Sequence, residues 1–418
     1  MTSKERIQCA LNHKEADRIP VDFGTTGVSG IHCKVVEGLR KYYGLEDRLV
    51  RVIEPFQMLG EVDEDLQKII GTDVCGIYGR KNMFGIDESE LHEQVTPWGQ
   101  HILIAKDIDM TPDKNGDIYI YPGGDRNYAP CAIMPEGCYF VNSIERIKTD
   151  EENLRLEDNL EEFSLMGDED IEHFAGEINK ADKTGKAVIA SFGGAALGDI
   201  AFVPGMGIKE PKGIRTVADW YMSTVIRPEF IHKLFETQVD LSIENYKKLW
   251  DRVGSKVDVV FTCGTDFGTQ DSQFCSAGTF RELWIPHYKR MNDWIHSNTT
   301  WKIMKHCCGS IIPLIPGMIE AGFDIINPVQ INAKDMDPQK LKNDFGKYLT
   351  FWGGGIDTQI ILPHATPEEV KTHVRKQCEI FGKDGGFVFN SVHNIQANAP
   401  IPNVVAMIET LNEKTPIK

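Results

Sequence analysis

The sequence has no run of 18 or more apolar residues, and this absence excludes a transmembrane helix. Its N-terminal residues lack the apolar segment of a signal peptide, and its ten cysteines contain no CxxC pair. This cysteine pattern does not resemble that of a secreted disulfide scaffold. We expect a cytoplasmic protein with reduced thiols.

Basic residues are also scarce: 45 lysines and arginines stand against 62 aspartates and glutamates, which gives a formal charge of −17. This balance disfavours nucleic acid or an anionic membrane as the main partner. No GxGxxG follows a first strand and no GxxxxGK[ST] occurs, so dinucleotide-binding and P-loop proteins lose support.

Short apolar runs alternate with helical patterns from about residue 186 onward. The runs are KAVIASF (186–192), VDVVFT (257–262), TWKIMK (300–305), FDIINPV (323–329), YLTFWGG (348–354) and GFVFNS (386–391). This alternation predicts an α/β fold with a parallel sheet and helices outside. An open doubly wound sheet is the alternative. A single (β/α)8 TIM barrel is favoured, because nearly every run ends in a polar or glycine-rich cluster.

The first part of the chain has a different pattern. Helical spacing is present near residues 4–14 and 31–44, so we expect residues 1–60 to form an N-terminal helical extension packed on the barrel. Residues 61–418 would then form the catalytic barrel domain. A hairpin insertion is predicted between residues 104 and 127, where DKNGDIYIY combines turn residues with alternation.

The motif KHCCGS (305–310) places a histidine and two adjacent cysteines directly after one of the predicted strands. Side chains alternate along an extended chain, so we expect His306 and Cys308 on one side and Cys307 on the other. Imidazole and thiolate both bind zinc, at about 2.0–2.3 Å, so His306 and Cys308 are candidate metal ligands. The alternative is that both cysteines fill the core, where cysteine is common.

Other polar residues follow the predicted strands, and in a barrel these loops open on one end. Asp266 and His306 are the candidate catalytic residues. Asp266 could act as a general acid, orient a ligating histidine, provide a fourth ligand, or only cap the next helix. The candidate substrate-binding residues are Asn327, Gln330 and Asp357, although such amides can equally satisfy backbone groups of a loop.

Four stretches together resemble the uroporphyrinogen decarboxylase superfamily. They are ERIQCALNHKEADRIPV, HCCGSIIPLIPGMIEAGFDIINPVQ, FWGGGIDTQ and GGFVFNSVHNIQANAPIPNVVAM. The resemblance covers nearly the whole chain and implies a single α/β barrel. The superfamily also contains zinc-dependent, corrinoid-linked methyltransferases, in which a His-x-Cys pair followed by glycine and a later cysteine hold the zinc.

The resemblance implies a zinc site made of His306, Cys308 and His393. In the methyltransferases the third ligand is a cysteine seven residues before a proline and ten before an asparagine, and here Pro400 and Asn403 give His393. One thiolate instead of two leaves a more Lewis-acidic metal, which suits an oxygen or nitrogen atom. By itself, His393 could also be an ordinary hydrogen-bonded loop histidine.

The resemblance further implies an enzyme that moves a methyl group from a small donor to the cob(I)alamin of a separate corrinoid protein. An O-methyl aromatic ether is the first candidate donor, and the partner would dock at the barrel mouth. No DxHxxG corrinoid-binding sequence occurs in the chain, so the cobalamin would arrive on that partner. A homo-oligomer is possible.

Three alternatives remain open. They are methyl transfer from a corrinoid to a thiol such as coenzyme M, a uroporphyrinogen decarboxylase-like lyase, and a non-catalytic barrel that binds a ligand. The lyase is disfavoured because residues 18–32 contain a single arginine, Arg18, where decarboxylases have an arginine-rich stretch for the porphyrinogen carboxylates.

Overall fold

Helices and short strands alternate along the chain, and the computed structural model describes residues 1–413. The α-helices of this range are α1 Ser3–Leu11, α2 Cys33–Tyr42, α3 Glu64–Ile70, α4 Asp168–Asp182, α5 Val217–Ile226, α6 Pro228–Val253, α7 Ala277–Leu283, α8 Ile285–Asn298, α9 Ile315–Glu320, α10 Pro338–Phe345, α11 Ile361–His364, α12 Pro367–Gly382 and α13 Ile401–Asn412. The strands are β1 Ile31–His32, β2 Val50–Glu54, β3 Leu59–Gly60, β4 Val74–Ile77, β5 Leu91–Val95, β6 His101–Ala105, β7 Ile118–Ile120, β8 Ala132–Met134, β9 Asn142–Ser143, β10 Ala187–Ser191, β11 Val259–Cys263, β12 Lys302–His306, β13 Ile325–Asn327, β14 Thr350–Trp352 and β15 Phe387–Val388.

Seven parallel strands form the central sheet, in the order β15-β14-β13-β12-β11-β10-β4. Six of them coincide with the six apolar runs of the sequence, so the predicted α/β class and parallel sheet are confirmed. Strand β4 is not predicted, because its four residues include a cysteine and a glycine, which weaken the pattern of β-branched residues.

The sheet curls around a buried apolar cluster on its inner face, while its outer face packs under helices in a larger core. Every strand contributes to the inner cluster, through Val74, Ala187, Ile189, Val259, Met304, Ile325, Trp352 and Val388. Parallel strands that are covered on both faces need apolar residues on both sides, and the runs of the sequence supply them.

Helix α1 covers the amino-terminal end of the curled sheet. Its residues Ile7, Ala10 and Leu11 join the inner cluster. Gln8 Nε2 donates to Oδ1 of Asp258, just before β11, at 2.6 Å. The large cavity of the protein lies at the other end, beside residues that follow the carboxyl ends of the strands.

An extended segment, residues 20–22, lies between the two edge strands of the sheet. Val21 forms a parallel bridge with Phe389, directly after β15. On its other side, Asp73 N donates to Val21 O at 2.8 Å, directly before β4. The segment thus joins both edges. The complete (β/α)8 barrel remains a prediction.

Two smaller sheets lie within residues 31–143, in the orders β1-β3-β2-β6-β5 and β7-β8-β9. The predicted hairpin between residues 104 and 127 is wrong, because β6 pairs with β5 and β7 pairs with β8. The turn residues close a small local loop instead, in which Asp113 N donates to Asp117 O at 2.8 Å.

The first of these sheets takes strands from both sides of residue 60. The division of the chain into residues 1–60 and 61–418 is therefore not visible as a break between sheets, and it remains a prediction. Among residues 1–413, no helix combines the length and the apolar character that crossing a membrane requires.

Candidate metal centre and active-site cavity

Three candidate ligands meet at the carboxyl end of the curled sheet. His306 is the last residue of β12, Cys308 follows two residues later, and His393 lies in the loop after β15. One ligand atom of each lies within 4.8 Å of those of the other two. Cys308 Sγ is 3.4 Å from His306 Nε2. Sulfur and nitrogen at two corners of a tetrahedral zinc site would be roughly 3.5 Å apart, so this pair fits zinc.

Asn327 fixes the orientation of the His306 imidazole. Nδ1 of His306 donates to Oδ1 of Asn327 at 2.7 Å. Nδ2 of Asn327 in turn donates to the Trp352 carbonyl at 2.8 Å, which decides how the amide is oriented. With its proton on Nδ1, the ring presents the lone pair of Nε2 towards Cys308. Metal-bound histidines commonly have such a second partner.

His393 is held in place but is less prepared for a metal than His306. Asn394 N donates to Nδ1 of His393 at 2.8 Å, so the neutral ring carries its proton on Nε2. One ring nitrogen must therefore change its partner before His393 can bind a metal. The buried Asn394 side chain anchors this loop: it accepts from Gly30 N at 2.6 Å and donates to Gly27 O at 2.8 Å.

Burial keeps the three candidate ligands uncharged at neutral pH. Burial lowers the pKa of His306. Burial, with His306 adding to it, lowers the pKa of His393 to about 4. Burial, followed by the nearby Asp266 carboxylate, raises the pKa of the Cys308 thiol well above its ordinary value. Zinc binding would therefore release the thiol proton.

Asp266, after β11, approaches the same centre from the neighbouring strand. Its Oδ1 accepts from Cys308 N at 2.6 Å and lies 3.9 Å from His306 Nε2. This position suits a fourth ligand, a general acid, or a residue that positions the Cys308 backbone. The alternative of a helix cap is wrong, because Ser276 caps α7.

Cys307 points into the core on the opposite side from Cys308, as the alternation predicts. Its Sγ accepts a hydrogen bond from Phe267 N at 3.3 Å. Beside it, the buried Lys305 donates from Nζ to the carbonyls of Thr265 at 2.6 Å and of His306 at 2.5 Å. These contacts connect the ends of β11 and β12 behind the site.

Two glycines allow the loops after β11 and β12 to pack backbone against backbone. Gly309 has a φ of +89°, and a Cβ added there would lie 2.3 Å from the carbonyl carbon of Gly268. Any side chain would therefore be both strained and in collision. Ser310 N donates to Thr269 O at 2.8 Å across the same contact. This close approach brings Asp266 next to Cys308.

A cavity of about 720 Å³ opens beside the candidate ligands, and Asp266, His306, Cys308 and His393 all line it. Much of its remaining wall comes from residues 26–202, which lie outside the motifs that predicted the candidate ligands. Its carboxylates are Glu54, Glu88, Glu162, Asp170, Asp199 and Asp266, and its aromatic residues are Phe56, Tyr78, Phe163, Phe174, Phe192, Phe202 and Phe261.

Among residues 1–413, the lysine and arginine side chains that line this cavity are those of Arg80 and Lys81. Two of the six carboxylates have a basic partner: Glu162 pairs with Arg215, and Asp170 pairs with Arg80 at 3.0 Å. The other four make no ion pair with lysine or arginine within residues 1–413. The cavity therefore combines aromatic walls with an excess of carboxyl groups.

Burial raises the pKa of three of these four carboxyl groups. It raises the pKa of Glu54 and of Glu88 to about 7, and the pKa of Asp199 to about 6. A buried carboxylate without a cation is unfavourable, and the upward shifts express this cost.

The three predicted substrate-binding residues lie outside the cavity wall. Asn327 holds His306, and Gln330 Oε1 accepts from Gly309 N at 2.7 Å. Asp357 Oδ1 accepts from the backbone N of Gln359 at 2.7 Å and of the following residue. All three side chains thus satisfy partners in the loops. Their contact with a substrate remains a prediction, and the geometry favours the positioning role.

The second half of the chain matches a model of a known protein family. Residues 207–414 match the uroporphyrinogen decarboxylase (URO-D) family. This match agrees with the superfamily predicted from the sequence, and it supports an enzyme. The matched URO-D region holds Asp266 and all three candidate ligands. No curated protein matches the chain.

Solved structures show likeness of fold. A methyltransferase from Methanosarcina mazei shares 14% identity with a TM-score of 0.55, covering 99% of this chain and 99% of that one. The GH53 catalytic domain of Ignisphaera aggregans shares 11% identity, with a TM-score of 0.33 and coverage of 93% and 99%. The first likeness shows that the two chains share a fold along their length, and the second carries no argument.

Proposed function

We propose that this protein is a zinc-dependent methyltransferase, which moves a methyl group from a small donor to the cob(I)alamin of a separate corrinoid protein. One observation carries the proposal: His306, Cys308 and His393 meet in the wall of a large cavity at the carboxyl end of the strands. Active sites of α/β barrels lie at this end. The URO-D family match and the fold shared with a methyltransferase support the same class.

The reaction requires in-line attack on the methyl carbon and stabilisation of the atom that leaves. An alkoxide or phenolate leaves poorly at neutral pH. Zinc held by His306, Cys308 and His393 would supply a Lewis acid for that developing negative charge. The chain's own residues prepare the site: Asn327 orients His306, and Asp266 holds the Cys308 backbone within reach of the same centre.

An O-methyl aromatic ether is the donor class that the cavity supports best. Seven aromatic side chains line it, and aromatic walls favour a flat ring. Asp266 lines the cavity and lies beside His306, so in its protonated form it would be the general acid for the leaving oxygen.

The charge of the cavity weighs against the two enzymatic alternatives. Coenzyme M carries a sulfonate and uroporphyrinogen carries eight carboxylates, and both need cations around them. The cavity offers the exposed Lys81 and the already paired Arg80, against six carboxylates. Demethylation of an uncharged or cationic donor is therefore the proposed direction.

We also infer that residues 20–22 take the place of an eighth strand, so that the sheet closes into a barrel. Their contacts with both edge strands support this. The closed barrel would leave one mouth, opposite α1, and the corrinoid protein would have to dock there to reach the donor.

Metal analysis and methyl transfer test the proposal together. We expect one zinc per chain, and His306→Ala and Cys308→Ala to lose it while the circular dichroism stays native. A screen of methoxyarenes with added cob(I)alamin should produce methylcobalamin, seen in its absorption spectrum. A metal-free protein that transfers methyl groups, or both variants with full zinc content, would contradict the proposal.

A further inference from the structure

We infer that the methyl donor carries a positive charge, so that the substrate is an O-methyl aromatic ether with an ammonium group. This inference rests on the proposed function, because it names the donor class of the same site. It comes from a feature that the metal centre does not need: a second group of carboxylates, around Glu54 and Glu88, in the wall of the same cavity.

Glu54, the last residue of β2, is the clearest member of this group. Its Oε1 accepts from Phe56 N and its Oε2 from Gln57 N, both at 2.9 Å. These backbone donors hold both carboxylate oxygens in position, and no lysine or arginine of the described chain pairs with them. A bound cation would stabilise the ionised form of this carboxyl group, and a ligand can supply that cation.

The surroundings of Glu54 suit an ammonium group. Phe56 and Tyr78 line the same cavity, and the face of an aromatic ring attracts a cation. Tyr78 Oη donates a hydrogen bond to the Thr25 carbonyl at 2.7 Å, so its hydroxyl proton is directed at the protein backbone. Glu88 adds a second acidic side chain to this part of the wall.

Glu54 is connected to the candidate metal centre through one short contact. Oε1 of Gln57, in the turn that follows Glu54, accepts from Nδ2 of Asn394 at 3.0 Å. Asn394 directly follows His393. Because the two loops touch, we expect one small molecule to reach both, with its methoxy group at the histidine and its ammonium group at Glu54.

The opposite charge is disfavoured on the same grounds. With its methoxy group at the metal centre, a methoxybenzoate would place its carboxylate near Glu54 and Glu88, which make no ion pair with a lysine or arginine within residues 1–413. Arg80 is occupied by Asp170, and Lys81 lies at the exposed edge. Above a pH of about 7, where Glu54 and Glu88 are ionised, these carboxylates repel an anionic donor.

Three probes of nearly equal shape test the inference: 4-methoxybenzylamine, 4-methoxybenzyl alcohol and 4-methoxybenzoate. Their affinities for the zinc-loaded full chain are measured by isothermal titration calorimetry. We expect the amine to bind at least about tenfold more tightly than the alcohol, and the benzoate to bind most weakly. In Glu54→Gln the advantage of the amine over the alcohol should fall by about tenfold. Glu46→Gln is the control, since the Glu46 side chain is 81% exposed and outside the cavity.

The outcomes separate this inference from the proposed function. Equal affinities for the three probes, tighter binding of the benzoate, or no binding by any probe would overturn the cationic donor. Such results would leave zinc content and methyl transfer, which are measured separately, unaffected. The wild-type ranking decides the matter even if Glu54→Gln does not fold. Charge selectivity without any methyl transfer would overturn the proposed function and leave the binding preference standing.

Discussion

The hydrogen bond between Asn327 and His306 gives a sharp test of the metal centre. Asn327→Ala removes the acceptor of the Nδ1 proton of His306 and the donor to the Trp352 carbonyl. Loss of such a second partner weakens metal binding by about 10–100-fold, or about 1.4–2.7 kcal/mol. The two buried groups left without a partner should also lower the free energy of unfolding by about 2–4 kcal/mol.

Asn327→Asp should separate the two effects. The carboxylate still accepts from His306, so we expect zinc affinity within about tenfold of the wild type. It cannot donate to the Trp352 carbonyl, so stability should still fall. Zinc affinity is measured by competition with a chromophoric chelator, and stability by urea unfolding.

A matched control keeps these effects apart. Asn292 is also a buried asparagine, and its Nδ2 donates to the Ala321 carbonyl at 2.9 Å. Asn292→Ala should lower stability and leave zinc affinity unchanged. If Asn327→Ala binds zinc within about threefold of the wild type, then His306 does not depend on Asn327 and the assigned ligand geometry is refuted.

Three further predictions concern the surroundings of the site. Cys308→Ala should lose zinc, whereas Cys307→Ala should keep it and lose about 1–2 kcal/mol of stability, as shown by metal content and urea unfolding. Gly309→Ala should lower the free energy of unfolding by about 2–4 kcal/mol, because it adds a backbone collision to the strain of a positive φ. Gly99→Ala is the control: Gly99 has a φ of +78° and open space around it, so its unfolding free energy should fall only by the strain of the positive φ. Ile7→Ala should lower the unfolding free energy by about 2–4 kcal/mol without changing zinc content.

Each of these predictions has an outcome that contradicts it. Equal zinc loss in both cysteine variants would remove the distinction between their two sides. Equal costs at the two glycines would mean that the loops do not pack as described. Zinc loss in Ile7→Ala would mean that the covered end of the sheet and the metal centre are not independent.

The sequence by itself determined the parallel sheet and predicted His306 and Cys308 as a pair of candidate ligands. Both depend on local periodicity: apolar runs predict strands wherever packing covers both faces, and alternation separates Cys308 from Cys307. The same local signal fails at β4, which is short and contains glycine, and at residues 104–127, where turn residues do not reveal which strand pairs with which.

Only the tertiary structure decided how the site is completed. His393 is 87 positions after His306, so a resemblance could suggest the pair but no periodicity could bring the two rings together. Asn327 shows the same limit: its residue type allows a contact with substrate, yet folding directs it to the Nδ1 of His306. The acidic wall around Glu54 has no local signal at all, because a charge matters for binding only once the chain has enclosed it and left it without a partner.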